Sequence, residues 1–226
     1  MTQPRQMAFD LGTLEDFSRA GFFPSPANAA ALAAVAGWQG WPQGRLLLTG
    51  PAGAGKTHLA HIWAADMGAP ILRAQTLPRL DPTALPHALV VEDADEVAGL
   101  PAHEEALFHL LNRTLGVGGH VLITARTPPR DWALDLPDLL SRMQSIAIAR
   151  LDPPDDALLS AVLIKLFADR QITVPPNLIP YLASRMERSI AAARLLVARL
   201  DAHALALGRP VTRALAAELL DSADPG

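Results

Sequence analysis

Two regimes of hydrophobic patterning divide the chain. Up to about residue 151, short unbroken apolar runs alternate with longer stretches of helical spacing, whereas beyond Pro153 and Pro154 only helical spacing remains. The runs Arg45 to Thr49, Pro70 to Ala74, Ala88 to Glu92, His120 to Ala125 and Ser145 to Leu151 lack polar alternation. That pattern predicts strands covered on both faces, as in a parallel sheet. Helices are predicted from Ser25, a candidate cap, to about Trp38, then to about Met67, over Pro101 to Leu115 and over Asp135 to Met143. In the third of these, Leu107, Leu110, Leu111 and Leu115 share a face expected in the core, while Glu104 and Glu105 sit near the start, where acids suit the helix dipole. Strands alternating with helices imply an α/β fold, a parallel sheet in three αβα layers.

Helical spacing over about 155 to 169, 176 to 186, 188 to 207 and 212 to 221 predicts a small all-helical unit that closes the chain. The expected division is a tail over 1–12, an α/β domain over 13–151 and a helical lid domain over 152–226.

The 226 residues, 50% apolar and 19% charged, suffice for a substantial folded core. No apolar run approaches the ~18 residues of a bilayer span, and the N-terminus lacks a signal-peptide layout, so a cytoplasmic location without membrane contact is expected. The absence of cysteine removes disulfides and thiolate chemistry. His58 and His61 share a helix face, but no third metal ligand accompanies them. A net charge of −4 argues against nucleic acid as the main partner.

One stretch carries definite chemistry. Gly50-Pro51-Ala52-Gly53-Ala54-Gly55-Lys56-Thr57 follows a predicted strand and opens a predicted helix, with His58 next. Glycines at this spacing let consecutive backbone N–H groups turn to one concave side and hold phosphate oxygens at a helix N-terminus. Lys56 adds a point charge for the terminal phosphates, and the Thr57 hydroxyl suits Mg²⁺. A second motif, Ala88 to Asp95, ends an apolar strand in Glu92 and Asp93, acids placed to hold Mg²⁺ through water and to orient an attacking water. Thr124, at the end of the next buried strand, is a candidate contact for the γ-phosphate or that water; an ordinary strand-end threonine is the alternative.

Near the N-terminus, Gln6, Met7, Phe9, Asp10 and Leu11 form an apolar cluster. An extended peptide of this kind docks Met7, Phe9 and Leu11 in a groove while Gln6 fixes the register. Packing as a first strand on the protein's own core is the other reading.

The order of these parts resembles the AAA+ ATPases, and within them the DnaA initiator group and its short Hda family. Gly55 to His61 resembles the end of that group's phosphate loop and the start of its next helix. Leu107 to Asn112 falls in the expected helix, Leu122 to Pro129 looks like the sensor-1 strand with its proline turn, and Leu136 to Met143 resembles the box that carries an arginine finger. The resemblance covers 45–150 and, through the lid, extends to about 221. The sequence shows no large oligomerisation domain before the core and no helix-turn-helix after the lid, which, with the tail, fits the Hda family.

That resemblance implies ADP or ATP with Mg²⁺ as cofactors and the sliding clamp (the β subunit of the DNA polymerase) as partner of Gln6 to Leu11. It implies DnaA as the regulated ATPase, with Arg142 as an arginine finger supplied in trans and DNA contacted at most through the clamp. The implied role is negative regulation of replication initiation at the replisome; assembly with a second copy of the chain stays open. Two departures stand out. Glu92 replaces the usual aspartate, and Ala191 occupies the place of the sensor-2 arginine, with Arg188 and Arg194, each one turn away, as substitutes. Tight nucleotide binding is therefore expected more than rapid turnover. Competing readings are a helicase loader that turns over its own ATP on single-stranded DNA and, more remotely, a small-molecule kinase built on the phosphate loop.

Overall fold

A computed structural model describes residues 17–80 and 86–221. The tail peptide Gln6 to Leu11 lies outside the described residues. Five strands, β1 (Arg45–Thr49), β2 (Ile71–Arg73), β3 (Ala88–Glu92), β4 (His120–Ala125) and β5 (Ala147–Arg150), form one sheet in the order β2-β3-β4-β1-β5. All pairings are parallel, with Leu47 beside Ile123 on one side and Ile148 on the other. Every position of β1 and β3 is buried, which is why their sequences read as unbroken apolar runs.

The two-residue period of a strand divides the core. Leu46 and Leu48 of β1 pack with Leu59 and Trp63 beneath α1 (Ala29–Ala36) and α2 (Lys56–Met67). Leu47 packs from the other face with Leu107, Leu111 and Leu139, beneath α3 (Pro101–Gly116) and α4 (Pro137–Gln144). Three αβα layers result, as the alternation predicted. The helices α5 (Asp156–Asp169), α6 (Leu178–Ala183), α7 (Ile190–Leu207) and α8 (Arg213–Asp221) enclose a separate apolar cluster that includes Leu159, Phe167, Leu200 and Leu215. The Asp155 carboxylate caps α5 by accepting from the Leu158 amide at 2.7 Å, and the Ser189 hydroxyl caps α7 by accepting from the Ala192 amide at 3.3 Å.

Some local expectations fail for identifiable reasons. Helix α1 begins at Ala29 rather than Ser25, because Asn28 organises a preceding turn, accepting from the Ser25 amide at 2.8 Å and donating to the Phe23 carbonyl at 2.9 Å. The Ser25 hydroxyl caps nothing and is buried without a partner. Leu115, expected in the core, is exposed near the C-terminal end of α3. Glu104, by contrast, is almost wholly buried; its carboxylate accepts from the amides of Gly99 (2.9 Å), Asp135 (3.2 Å) and Leu136 (2.8 Å). It thereby ties the entry to α4, and so the helix that carries Arg142, to the first turn of α3.

Candidate functional site

The phosphate loop turns between β1 and α2 at the C-terminal edge of the sheet. Gly53 and Gly55 take φ of 72° and 103°, left-handed values that side-chain-bearing residues adopt at a cost. At Gly53 a Cβ would also lie 2.0 Å from the Ser189 hydroxyl, so the N-terminus of α7 rests directly on the loop. The contact is completed by the Ile190 amide, which donates to the Gly53 carbonyl at 3.0 Å. Lys56 is buried and donates to the carbonyls of Gly50 (2.7 Å) and Pro51 (2.9 Å). Burial pushes its pKa below the ordinary lysine value, while Asp93, Asp95 and Glu92 pull it back up and Arg126 pushes it further down.

Around this loop lies a cavity of about 260 Å³ that brings together Ala52, Gly53, Gly55, Lys56, Thr57 and His58. Asp93, Arg194, Phe17 and Ala191 also reach it. Ala54 instead faces the core. Asp93 holds φ 53°, ψ 46° in the turn after β3, a conformation most tolerable for Asp and Asn. The Thr124 hydroxyl, buried at the end of β4, accepts from the Asp93 amide at 3.1 Å and so supports that turn from behind. Glu92 is buried with Oε1 unpartnered. The Asp93 carboxylate and the Thr57 hydroxyl both line the cavity and are hard-oxygen donors of the kind Mg²⁺ takes, whereas the orphaned Glu92 oxygen is buried and outside the cavity lining.

The structure separates the two substitutes for the missing lid arginine. Arg188 is engaged away from the cavity, paired with Asp156 at 2.7 Å and donating to the Pro154 carbonyl at 3.3 Å. Arg194 lines the cavity, its guanidinium 5.7 Å from the centroid of the Phe17 ring. Phe17 stacks on His61 at 4.3 Å and meets His58 edge-on at 5.6 Å, so these histidines serve an aromatic cluster. Among the described residues no group of three or more His, Cys, Asp or Glu gathers as a metal cage.

Sequence reasoning missed a larger, mainly apolar cavity of about 690 Å³ that shares His58, Ile190 and Arg194 with the first. Phe22, Phe23, Leu158, Val162 and Leu195 contribute its apolar walls. A polar phosphate cradle opening into an apolar chamber suits a ligand with a charged end and a flat, weakly polar end. It also missed Arg126, just past β4, which lines the loop cavity. The sequence signal for Arg126 was its place within Leu122 to Pro129, the stretch that resembles the sensor-1 strand and its turn; the chamber had no spacing signal.

Arg142 is not in this site. It lies over the Phe108 ring at 5.7 Å and close enough to Arg45, the first residue of β1, to depress that guanidinium's pKa. Gly50 follows the other end of β1, and five strand residues span about 16 Å.

No protein-family model matches the chain. It is 30% identical over 220 residues to the chromosomal replication initiator protein DnaA of Thermomicrobium roseum, covering 88% of this chain and 47% of that protein. To the DnaA of Caulobacter vibrioides it is 27% identical over 214 residues, covering 79% and 43%. The chain therefore spans about half the length of these relatives. Its structure superposes on domain III of Thermotoga maritima DnaA with TM-score 0.81 at 19% identity, covering 92% of this chain and 96% of that one. An AMPPCP-bound Aquifex aeolicus DnaA gives TM-score 0.66 at 14% identity, covering 82% and 65%. The AAA domain of FIGL-1 in complex with ADP gives TM-score 0.62 at 16% identity, covering 81% and 73%. The fold is that of an AAA+ domain. Within that class, the sequence matches support kinship with DnaA.

Proposed function

We propose that this chain is a nucleotide-binding regulator of DnaA of the Hda type, an AAA+ unit that promotes hydrolysis of ATP held by DnaA and so restrains replication initiation. The observation that carries the reading is the separation of Arg142 from the protein's own phosphate loop by the length of β1. An arginine so placed is free to serve a phosphate on another molecule, and the sequence kinship with DnaA supports DnaA as that molecule.

In this reading ADP or ATP lies with its phosphates over Gly53, Gly55 and Lys56 and its base in the apolar chamber beside Phe22. Mg²⁺ accompanying the nucleotide would be held by Thr57 and, through water, by Glu92 and Asp93, neutralising phosphate charge. Asp93 orients water, Thr124 holds the turn that presents it, and Arg194 stands in for the arginine absent at Ala191. The Gln6 to Leu11 peptide tethers the protein to the sliding clamp, at the replisome in the cytoplasm. A finger guanidinium on the transferring phosphoryl group stabilises its charge and is worth about 10³ to 10⁵ in rate.

The test is ATP hydrolysis by DnaA with DNA-loaded clamp and this protein as wild type, Arg142→Ala or Gln6→Ala. Acceleration by wild type, abolished by both substitutions with nucleotide binding intact, supports the reading. No acceleration, with turnover of the protein's own ATP on single-stranded DNA, would replace it with a helicase loader.

A further inference from the structure

Two arginines from different elements meet on one turn of α3. Arg142 of α4 lies over the Phe108 ring at 5.7 Å, and Arg45 of β1 donates to the carbonyl of Leu111, one turn further along the same helix. Strand register agrees with this meeting. Leu46 pairs with Ala147, so Arg45 stands level with Ile146, where the chain leaving α4 enters β5. The two side chains are held very differently. Arg142 is half-buried, and its backbone is anchored, its carbonyl accepting from the Ser145 hydroxyl at 2.7 Å and from the Ser145 amide at 3.2 Å. Its guanidinium has no hydrogen-bond or ion-pair partner among the described residues. Arg45 is almost wholly buried, with Nε and Nη1 donating to nothing. Burial, and then the Arg142 charge, lower its pKa.

We infer that Arg45 is a positioning residue for Arg142: its buried charge keeps the Arg142 guanidinium turned outward along the Phe108 ring, ready for a phosphate carried by another molecule. This deepens the finger role proposed above and rests on it. An arginine side chain has much rotamer freedom, and holding it in one reach costs entropy unless its surroundings limit the choice. Here three surroundings limit it. The Phe108 ring gives the guanidinium a face to lie on. The Leu111 carbonyl, an acceptor on the same helix, already accepts from Arg45. A like charge that solvent screens poorly repels any inward turn. An unpaired guanidinium buried beside another has no stabilising use of its own. Its effect falls on the side chain it pushes, and the charge developing on a phosphoryl group there meets two positive centres in place of one.

The experiment measures DnaA ATP hydrolysis with DNA-loaded clamp, and urea unfolding, for the full chain as wild type, Arg45→Met, Arg45→Lys, Arg142→Ala and the Arg45→Met/Arg142→Ala double variant. Arg45→Met is expected to lower the stimulated rate at saturation about tenfold, the order of one buried charge acting at short range. The concentration for half-maximal stimulation should stay unchanged, and the protein should become more stable. Weaker stimulation by a more stable protein is not what structural damage produces. Arg45→Lys should recover most of the rate, since it restores the charge. In unfolding, Arg45→Met should stabilise wild type more than it stabilises Arg142→Ala, where the repulsion is already gone. Undiminished stimulation by Arg45→Met, no recovery by Arg45→Lys, or equal stabilisation with and without Arg142 would overturn the inference. Wild type that fails to stimulate DnaA would overturn the proposed function instead, and the unfolding cycle would still decide whether Arg45 acts on Arg142.

Discussion

The Ile190 amide donates to the Gly53 carbonyl at 3.0 Å, so the first turn of α7 and the tip of the phosphate loop are one hydrogen-bonded unit. Beside that bond the Ser189 hydroxyl occupies the space a Gly53 side chain would need. Whatever the loop binds is therefore felt by α7, and any shift of α7 is felt by the loop.

Gly53→Ala should consequently destabilise the protein by about 1–3 kcal/mol through its left-handed φ and the clash, and should weaken nucleotide binding. Ser189→Ala alone removes the α7 cap at a cost of about 1 kcal/mol. Because the second change makes room for the first, the double variant should lose less than the sum of the singles in urea unfolding. Strict additivity would mean that the Gly53 and Ser189 contact is not what fixes the loop.

Lys56 gives stability a pH signature of definite sign. Its folded-state pKa is lowered, chiefly by burial, so between that value and the ordinary 10.5 the unfolded chain binds more protons than the folded one. Stability from this group therefore rises with pH through that window, and below it the full penalty is present. Lys56→Met should be more stable than wild type at neutral pH, with the gap closing as pH approaches 10.5. Unfolding measured across that range with no narrowing of the gap would contradict the assignment.

Glu104 accepts three backbone amides while 1% exposed. Glu104→Ala strands those donors and should cost about 2–4 kcal/mol by denaturant unfolding. Since two of them lead into α4, under the proposed function the variant should also reduce stimulation of DnaA more than it reduces binding of the protein's own nucleotide, the opposite of what Lys56→Ala should do.

Arg45 is 1% exposed; it donates to the Leu111 carbonyl, and its Nε and Nη1 have no partner. Burial and the neighbouring Arg142 charge both lower its pKa. A cation held this way costs stability, so Arg45→Met, similar in bulk and without charge, should raise the unfolding free energy by about 1–3 kcal/mol. A loss of stability on that scale would show instead that the arginine is paid for by contacts of its own.

Much of this was legible in the sequence because it depends on neighbours in the chain. Continuous burial made β1, β3 and β4 read as apolar runs, and the glycine spacing from Gly50 to Gly55 requires only local backbone freedom. What escaped depends on meetings between distant segments. The seating of Ser189 and Ile190 on Gly53, the apolar chamber between Phe22 and Leu158, and the meeting of Arg45 and Arg142 on one turn of α3 have no spacing signature. Leu115 misled because its helical stripe continues past the sheet it was expected to cover, and Ser25 because Asn28 took over the turn.

The placement of Arg142 beside the first residue of β1, with the phosphate loop after the last, gives the molecule a front and a back. Under the proposed reading one end receives a phosphate and the other reaches for a neighbour's, so contacts between such units run head to tail and do not close on themselves as a two-fold pair would. A row of them has a direction. A unit joining it can act on the neighbour ahead while its own nucleotide stays answerable only to the one behind.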